Sequence, residues 1–286
     1  MIHLLDRPGG RSLLGYLATR AARARIAGDI RIFYDHVWAH QSNAVVFADA
    51  PSFLYFPEHF DAWRGEAERW KTEAVDWWFH TYRPAPGDVV VDVGAGRGEH
   101  LLAFCEAVGP AGRVVAIEAH PESFEILCHF CRLNSLNNVD LVNCAVSDAR
   151  GTIYIDTQPD WQGNTITVSK IAGAHRVEAF TLDELAIARD LPRIDLLKVN
   201  IEGAEKAALE GLARCADRVQ NAAIACHDFR ANRGEGESYR TLDAVKARPQ
   251  ALGFGVQTRT EHPRREVRDH LYASRRVTEK PPPTAG

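Results

Sequence analysis

Val89-Val-Val-Asp-Val93 runs straight into Gly94-Ala-Gly96-Arg-Gly98, and then into a stretch that reads as helix from Glu99 to Val108. A buried strand, a glycine turn and a helix in immediate succession constrain the chain more than any other feature, because together they open an α/β fold. The alternation continues downstream. Arg113 to Glu118 reads as a strand, Pro121 to Leu136 as a helix and Val139 to Ala145 as a strand. Ile194 to Val199 and Val219 to Cys226 are further apolar strands, with a helix near Ala204 to Arg214 between them. Ser238 to Ala251 reads as helix, and Phe254 to Thr260 and Asp269 to Arg275 as a closing pair of strands. Strands alternating with helices imply βαβ units and a mainly parallel sheet with helices on both faces.

The first 85 residues read differently. Arg11 to Arg31 is rich in Ala and Arg and suits one helix or two short ones, and Ala44 to Phe56 is apolar and aromatic. Glu58 to Tyr82 reads as helix, with Trp63, Trp70, Trp77 and Trp78 recurring as one buried face requires. Arg83-Pro-Ala-Pro-Gly87 ends it. Gly151 to Asp190 carries alternating stretches such as Thr152 to Asp156, and reads as an antiparallel insertion beside the sheet. The expected organisation is a helical, aromatic extension over 1–85 that closes an acceptor pocket, a core domain over 86–276 with its insertion at 151–190, and a disordered tail over 277–286.

Composition narrows the function. With 34 basic and 38 acidic residues among 286, the formal charge is −4, and no basic stripe marks a nucleic-acid binder. A chain this long buries about three quarters of its surface and needs no staples. The six cysteines lie in apolar segments, and Cys128-His-Phe-Cys131 reads as two small hydrophobes one helical turn apart, not as a zinc pair. No apolar run approaches the ~18 residues of a membrane span, and the N-terminus lacks the apolar core of a signal peptide. A reducing, cytoplasmic setting is expected, with no membrane partner. The sequence leaves a homo-oligomer open.

The glycine loop points to a ligand. Gly94 and Gly96 allow a tight turn and close approach of a ligand to the backbone. Glu118 ends the next strand, twenty residues past Gly98, where a carboxylate can accept from both hydroxyls of a ribose. Asp92 and Glu99 flank the loop. They would repel the pyrophosphate of a dinucleotide and suit the amino group and sulfonium of S-adenosylmethionine, which disfavours a nicotinamide oxidoreductase.

At this point the chain resembles the FkbM family of Rossmann-like methyltransferases. The resemblance rests on Asp92-Val-Gly-Ala-Gly96, Ile117-Glu-Ala-His-Pro121, Asn143-Cys-Ala-Val-Ser-Asp148 followed by Gly151, Thr181-Leu-Asp183, and Asp195-Leu-Leu-Lys-Val-Asn-Ile-Glu-Gly-Ala-Glu205. It covers about Asp88 to Arg275. It implies a seven-stranded sheet with one antiparallel edge strand, S-adenosylmethionine as cofactor, and methyl transfer, often to a hydroxyl of a sugar or secondary metabolite. Asp92, Gly94, Ala95, Gly96, Glu118, Ala119, Ser147, Asp148 and Asn200 would then bind the donor, the last also facing the acceptor. Asn200 stands where the family commonly has Asp, and Ala225 where it often has Glu. Both departures remove a carboxylate, and no metal is expected. They also keep a second reading alive, a non-catalytic protein that binds S-adenosylmethionine in a degenerate site.

Methyl transfer needs an aligned acceptor and a route for its proton. His227 is the expected general base, since its ordinary pKa near 6.5 suits neutral pH. Glu202 serves as base, orienting group or cap of the following helix, and Asn200 completes the catalytic set. Asp228 is expected to orient His227 or sit at the rim, and Lys198 to pair with a buried carboxylate. Trp161, Asn164, Thr165, His36, Trp38 and Phe56 are acceptor-side candidates.

Overall fold

The computed structural model describes residues 6–26, 29–50, 53, 65–155, 166–167 and 174–275. Helix α1 (Arg11–Arg25) turns Leu14, Ala18 and Ala22 inward at a spacing of four. Beyond it lie β1 (Ile30–Asp35), β2 (Val37–Ser42) and β3 (Val45–Ala50), an antiparallel three-stranded sheet. A purely helical extension is therefore a misreading. Ala-rich composition ends near Ile26, and Ile30 and Ile32 point inward with Arg31 outward, which is the period of a strand. The turns are tight, with His36 and Asn43 both at positive φ. Helix α2 (Glu66–Trp78) follows, burying Ala74 and Trp78. The Glu58–Arg64 part of the expected helix, Trp63 and the 277–286 tail lie outside the described residues.

The core alternates as expected: β4 (Val89–Val93), α3 (Leu101–Val108), β5 (Arg113–Glu118), α4 (Pro121–Leu133) and β6 (Val139–Asn143). Next come β7 (Ala145–Val146), β8 (Gly151–Ile155), β9 (Ile166–Thr167) and β10 (His175–Phe180), which form a second sheet in the order β7-β10-β8-β9. Its pairs are antiparallel except β10 with β7. Thr181 then caps α5 (Leu182–Ala188) through a reciprocal contact with Glu184, so the insertion's strands end at Phe180. The rest is β11 (Ile194–Val199), α6 (Glu205–Glu210), β12 (Val219–Ala225), α7 (Asp228–Asn232), α8 (Leu242–Ala251), β13 (Gly255–Thr258), α9 (Arg265–Arg268) and β14 (His270–Ser274).

The central sheet runs β6-β5-β4-β11-β12-β14-β13, a seven-stranded α/β sheet parallel but for β14. The antiparallel strand is not at the edge, as expected, but second from it. Burial explains the place: Leu271, Tyr272 and Ala273 are covered on both sides, whereas Gly255 and Gln257 of β13 are exposed, as suits an edge. Alternation along β4 sends Val91 and Val93 to a core shared with Leu185, Leu209 and Val245, and Val90 to one shared with Phe104, Leu127 and Phe130. Phe47, Ala74 and Trp78 of the extension join that second core. Strand order reverses between β4 and β11, which opens a crevice at their carboxyl ends. No described helix is long and apolar enough to cross a membrane.

Candidate functional site

A cavity of about 480 Å³ occupies that crevice. On one side lies the glycine loop. Gly94, Gly96 and Gly98 all have positive φ. A Cβ on Gly94 would come within 2.0 Å of the Asn200 carbonyl oxygen, so the loops after β4 and β11 touch backbone to backbone. Glu118 ties the loop to the end of β5. One oxygen accepts from the Gly96 N–H at 2.9 Å and the other from the His120 N–H at 2.8 Å. Glu99 accepts from the Arg97 N–H at 3.2 Å. Burial pushes both carboxyls up to about 7, outweighing the backbone N–H groups and the charges of Arg97 beside Glu99 and Lys198 beside Glu118, which pull the other way.

Asp92 and Lys198 lie in register on β4 and β11 and are almost wholly buried. Their charged atoms are 2.6 Å apart, and Lys198 also donates to the Gly94 carbonyl at 2.7 Å. Asp92 thus borders the cavity while its charge is met from within the sheet.

On the other side stand the ends of β11 and β12. Asn200 borders the cavity and donates its N–H to the Val93 carbonyl. Glu202 follows at φ 53, a strained backbone for a residue with a Cβ. Its Oε1 lies 3.2 Å from His227 Nε2, and its Oε2 accepts from Arg230 at 2.6 Å. His227 Nδ1 lies 3.0 Å from Glu205 Oε1. Burial alone would lower the His227 pKa, but the two carboxylates outweigh it and raise it to about 10. Glu202 goes the other way: burial would raise it, and His227 with Arg230 holds it below the usual range. The two carboxylates thus favour the imidazolium over the free base that an ordinary pKa suggests.

The structure brings Asp92, Gly94, Ala95, Gly96, Glu118, Ala119, Asn200, Glu202 and His227 around one space. Ser147 and Asp148 do not border it. The Ser147 N–H continues the β7–β10 pairing by donating to the Phe180 carbonyl, and its hydroxyl donates to Asp148, so Cys144, Ala145 and Val146 are what the segment presents. Asp228 caps α8 by accepting from the Thr241 and Leu242 N–H groups, which is a structural task. Trp38 is buried inside the extension, where its indole donates to Asp6, and His36 stacks on His129; neither reaches the cavity. Phe56, Trp161, Asn164 and Thr165 lie outside the described residues.

The remaining wall of the cavity is made by Trp70, Glu73 and Trp77 of α2, with His100, Phe229 and His270. The tryptophan spacing flagged α2; nothing local marks the two histidines. Trp78 donates to His100 Nδ1 at 3.0 Å, and Glu73 pairs with His100 and with Arg264. His270 stacks on Trp78 at 4.9 Å, and burial, then the charge on His227, pushes it down to about 3. α2 is also strapped to the last strands. Arg259 donates to Asp76, His262 meets the same carboxylate, and the Tyr272 hydroxyl donates to the Trp77 carbonyl at 2.7 Å.

Residues 92–254 match the family described as the methyltransferase FkbM domain. Methyltransferase sdnD of Sordaria araneosa is 26% identical over 155 residues, a match that covers 43% of this chain and 60% of that protein. The chain thus spans about 60% of that curated relative's length. Among solved structures, the methyltransferase FkbM of Methylobacillus flagellatus KT aligns at TM-score 0.46 and 18% identity, over 93% of this chain and 60% of its own. Precorrin-6y C5,15-methyltransferase of Geobacter metallireducens GS-15 aligns at TM-score 0.43 and 15% identity, over 71% and 87%.

Proposed function

The chain belongs to the FkbM methyltransferase family, whose cofactor is S-adenosylmethionine, and on that premise we propose that it methylates a hydroxyl of a sugar or natural-product-type small molecule. The observation that carries this reading is one cavity with two differently built walls.

The glycine wall fits the cofactor. Each Glu118 oxygen has accepted one backbone N–H and keeps a lone pair for a hydroxyl, as a ribose requires. Glu99 and Glu118 are buried carboxyls whose charge is held back by burial, and a ligand bearing hydroxyls and positive charge would relieve both. When bound, S-adenosylmethionine supplies a methyl carbon activated by a sulfonium. Trp70 and Trp77 supply ring faces and Glu73 acceptor oxygens, a combination suited to a polyol's CH surface and hydroxyls. The extension acts as the acceptor-side lid, through α2.

Asn200, Glu202 and His227 stand where the acceptor hydroxyl must arrive. Asn200 and Glu202 orient it, and His227 accepts its proton from the neutral form. That form grows tenfold per pH unit up to about 10, so the transfer rate rises with pH over that range. Calorimetry with S-adenosylhomocysteine, followed by labelled methyl transfer to a library of sugars and polyols, tests the reading. Absence of binding removes it. Binding with transfer only to amines or carbon acceptors replaces the hydroxyl by another acceptor class.

A further inference from the structure

The two nitrogens of His227 face carboxylates of different kinds. Glu205, in the first turn of α6, is fully buried. Its Oε1 accepts from the Ile201 N–H at 3.3 Å and the Gly203 N–H at 3.1 Å, and its Oε2 accepts from the Thr241 hydroxyl at 3.3 Å. Held at both oxygens, it has no room to swing away. It lies 3.0 Å from Nδ1, within ion-pair distance of the ring. Glu202, opposite Nε2, is a quarter exposed and has Arg230 as a second partner. Nε2 therefore faces a carboxylate that can give way to a ligand, and Nδ1 faces one that cannot.

Resting on the reading of His227 as the group that meets the acceptor, we propose that Glu205 is the positioning residue of the transfer: it fixes the ring and keeps Nδ1 protonated, leaving Nε2 to take the acceptor's proton. The O–H proton goes to Nε2, the oxygen's electron pair forms the bond to the methyl carbon, and the pair of the broken carbon–sulfur bond stays on sulfur. The logic is that of a nucleophile's base oriented by a third group. The other charged or titratable groups around the ring are Arg230 and Asp228 on α7, and Asp269 and His270 at the head of β14. None reaches ion-pair distance of the imidazole among the described residues. Asp228 is engaged by Thr241 and Leu242, and Asp269 by the Phe229 N–H at 2.7 Å.

The test is nitrogen NMR of the imidazoles, with His227 assigned by loss of its signals in His227→Gln, alongside calorimetry with S-adenosylhomocysteine. In the wild type both ring nitrogens stay protonated at pH 8, and the first proton lost on raising pH comes from Nε2. Glu205→Gln moves the His227 titration down by at least one pH unit, a tenfold larger neutral share at a given pH, with ligand affinity kept within threefold. A Glu205 that only supports the fold would lower thermal stability and leave that titration in place. An unmoved titration overturns the proposal. So does a neutral ring that carries its proton on Nε2, which the wild type alone reveals if the variant does not fold. Failure of the wild type to bind S-adenosylhomocysteine would instead remove the reading beneath it.

Discussion

At the glycine edge of the cavity, Glu99 and Glu118 accept from backbone N–H groups, and burial pushes both up to about 7. At the opposite edge Glu202 is also enclosed, yet it stands between His227 and Arg230 and is held below the usual carboxylate range. Burial is common to both edges, so the neighbours decide the charge state. At the glycine edge burial outweighs the pull of Arg97 and Lys198, and a ligand's positive charge would add to it. The far edge has its own and is set before anything binds.

The strongest way to break this contrast is at the seam between the edges, where Lys198 meets Asp92. Lys198→Met would leave a buried carboxylate uncompensated and cost about 3–5 kcal/mol in urea unfolding. A loss below about 1 kcal/mol would show that Asp92 is hydrated and that the seam is not dry.

Affinity for S-adenosylhomocysteine sharpens the contrast next. Glu118→Gln weakens binding by about tenfold to a hundredfold, the ~1.5–3 kcal/mol of hydrogen bonds to a charged group, and Glu202→Gln by less than about threefold. The reverse order in calorimetry would put the cofactor at the wrong edge.

The contrast also extends to pH. Carboxyls raised to about 7 add stability that is complete below about 4.5 and is lost as pH climbs through 7. His227, raised to about 10, adds stability that is complete below about 6.5 and is lost on the way to 10. Thermal unfolding of the free protein should therefore decline in two windows. S-adenosylhomocysteine should flatten the lower window and release about one proton on binding near pH 7. A single window would mean that the two edges titrate as one.

Much of the fold was legible because strands buried on both faces leave continuous apolar runs; β4, β5, β11 and β12 lie within a residue of where those runs place them. The extension's sheet was also legible in principle, in the alternation of Ile30, Arg31 and Ile32, but an Ala- and Arg-rich helix runs up to it and masks the change of period. The place of β14 was not, since nothing local says which limb of a hairpin enters a sheet. The cavity's composition divides in the same way. Gly94, Glu118, Asn200 and His227 sit at strand ends, which the strand pattern locates. His227's charge comes from Glu202 and from Glu205 on α6, and the cavity's tryptophan wall from α2, and both are tertiary facts.

The strap on α2 sets an order of assembly. Asp76 and Trp77 leave the ribosome long before the partners that hold them: Arg259 is 183 residues later in the chain and Tyr272 195. At about 5–20 residues per second that gap is roughly ten to forty seconds. Through that interval the nascent chain can close its glycine turn and lay down its first parallel strands while the tryptophan helix is held by its packing on α3 and by His100. The strap from the last strands onto α2 is thus the last part of this wall to form, and shortening the chain before Tyr272 would remove it together with β14, a strand buried second from the sheet's edge.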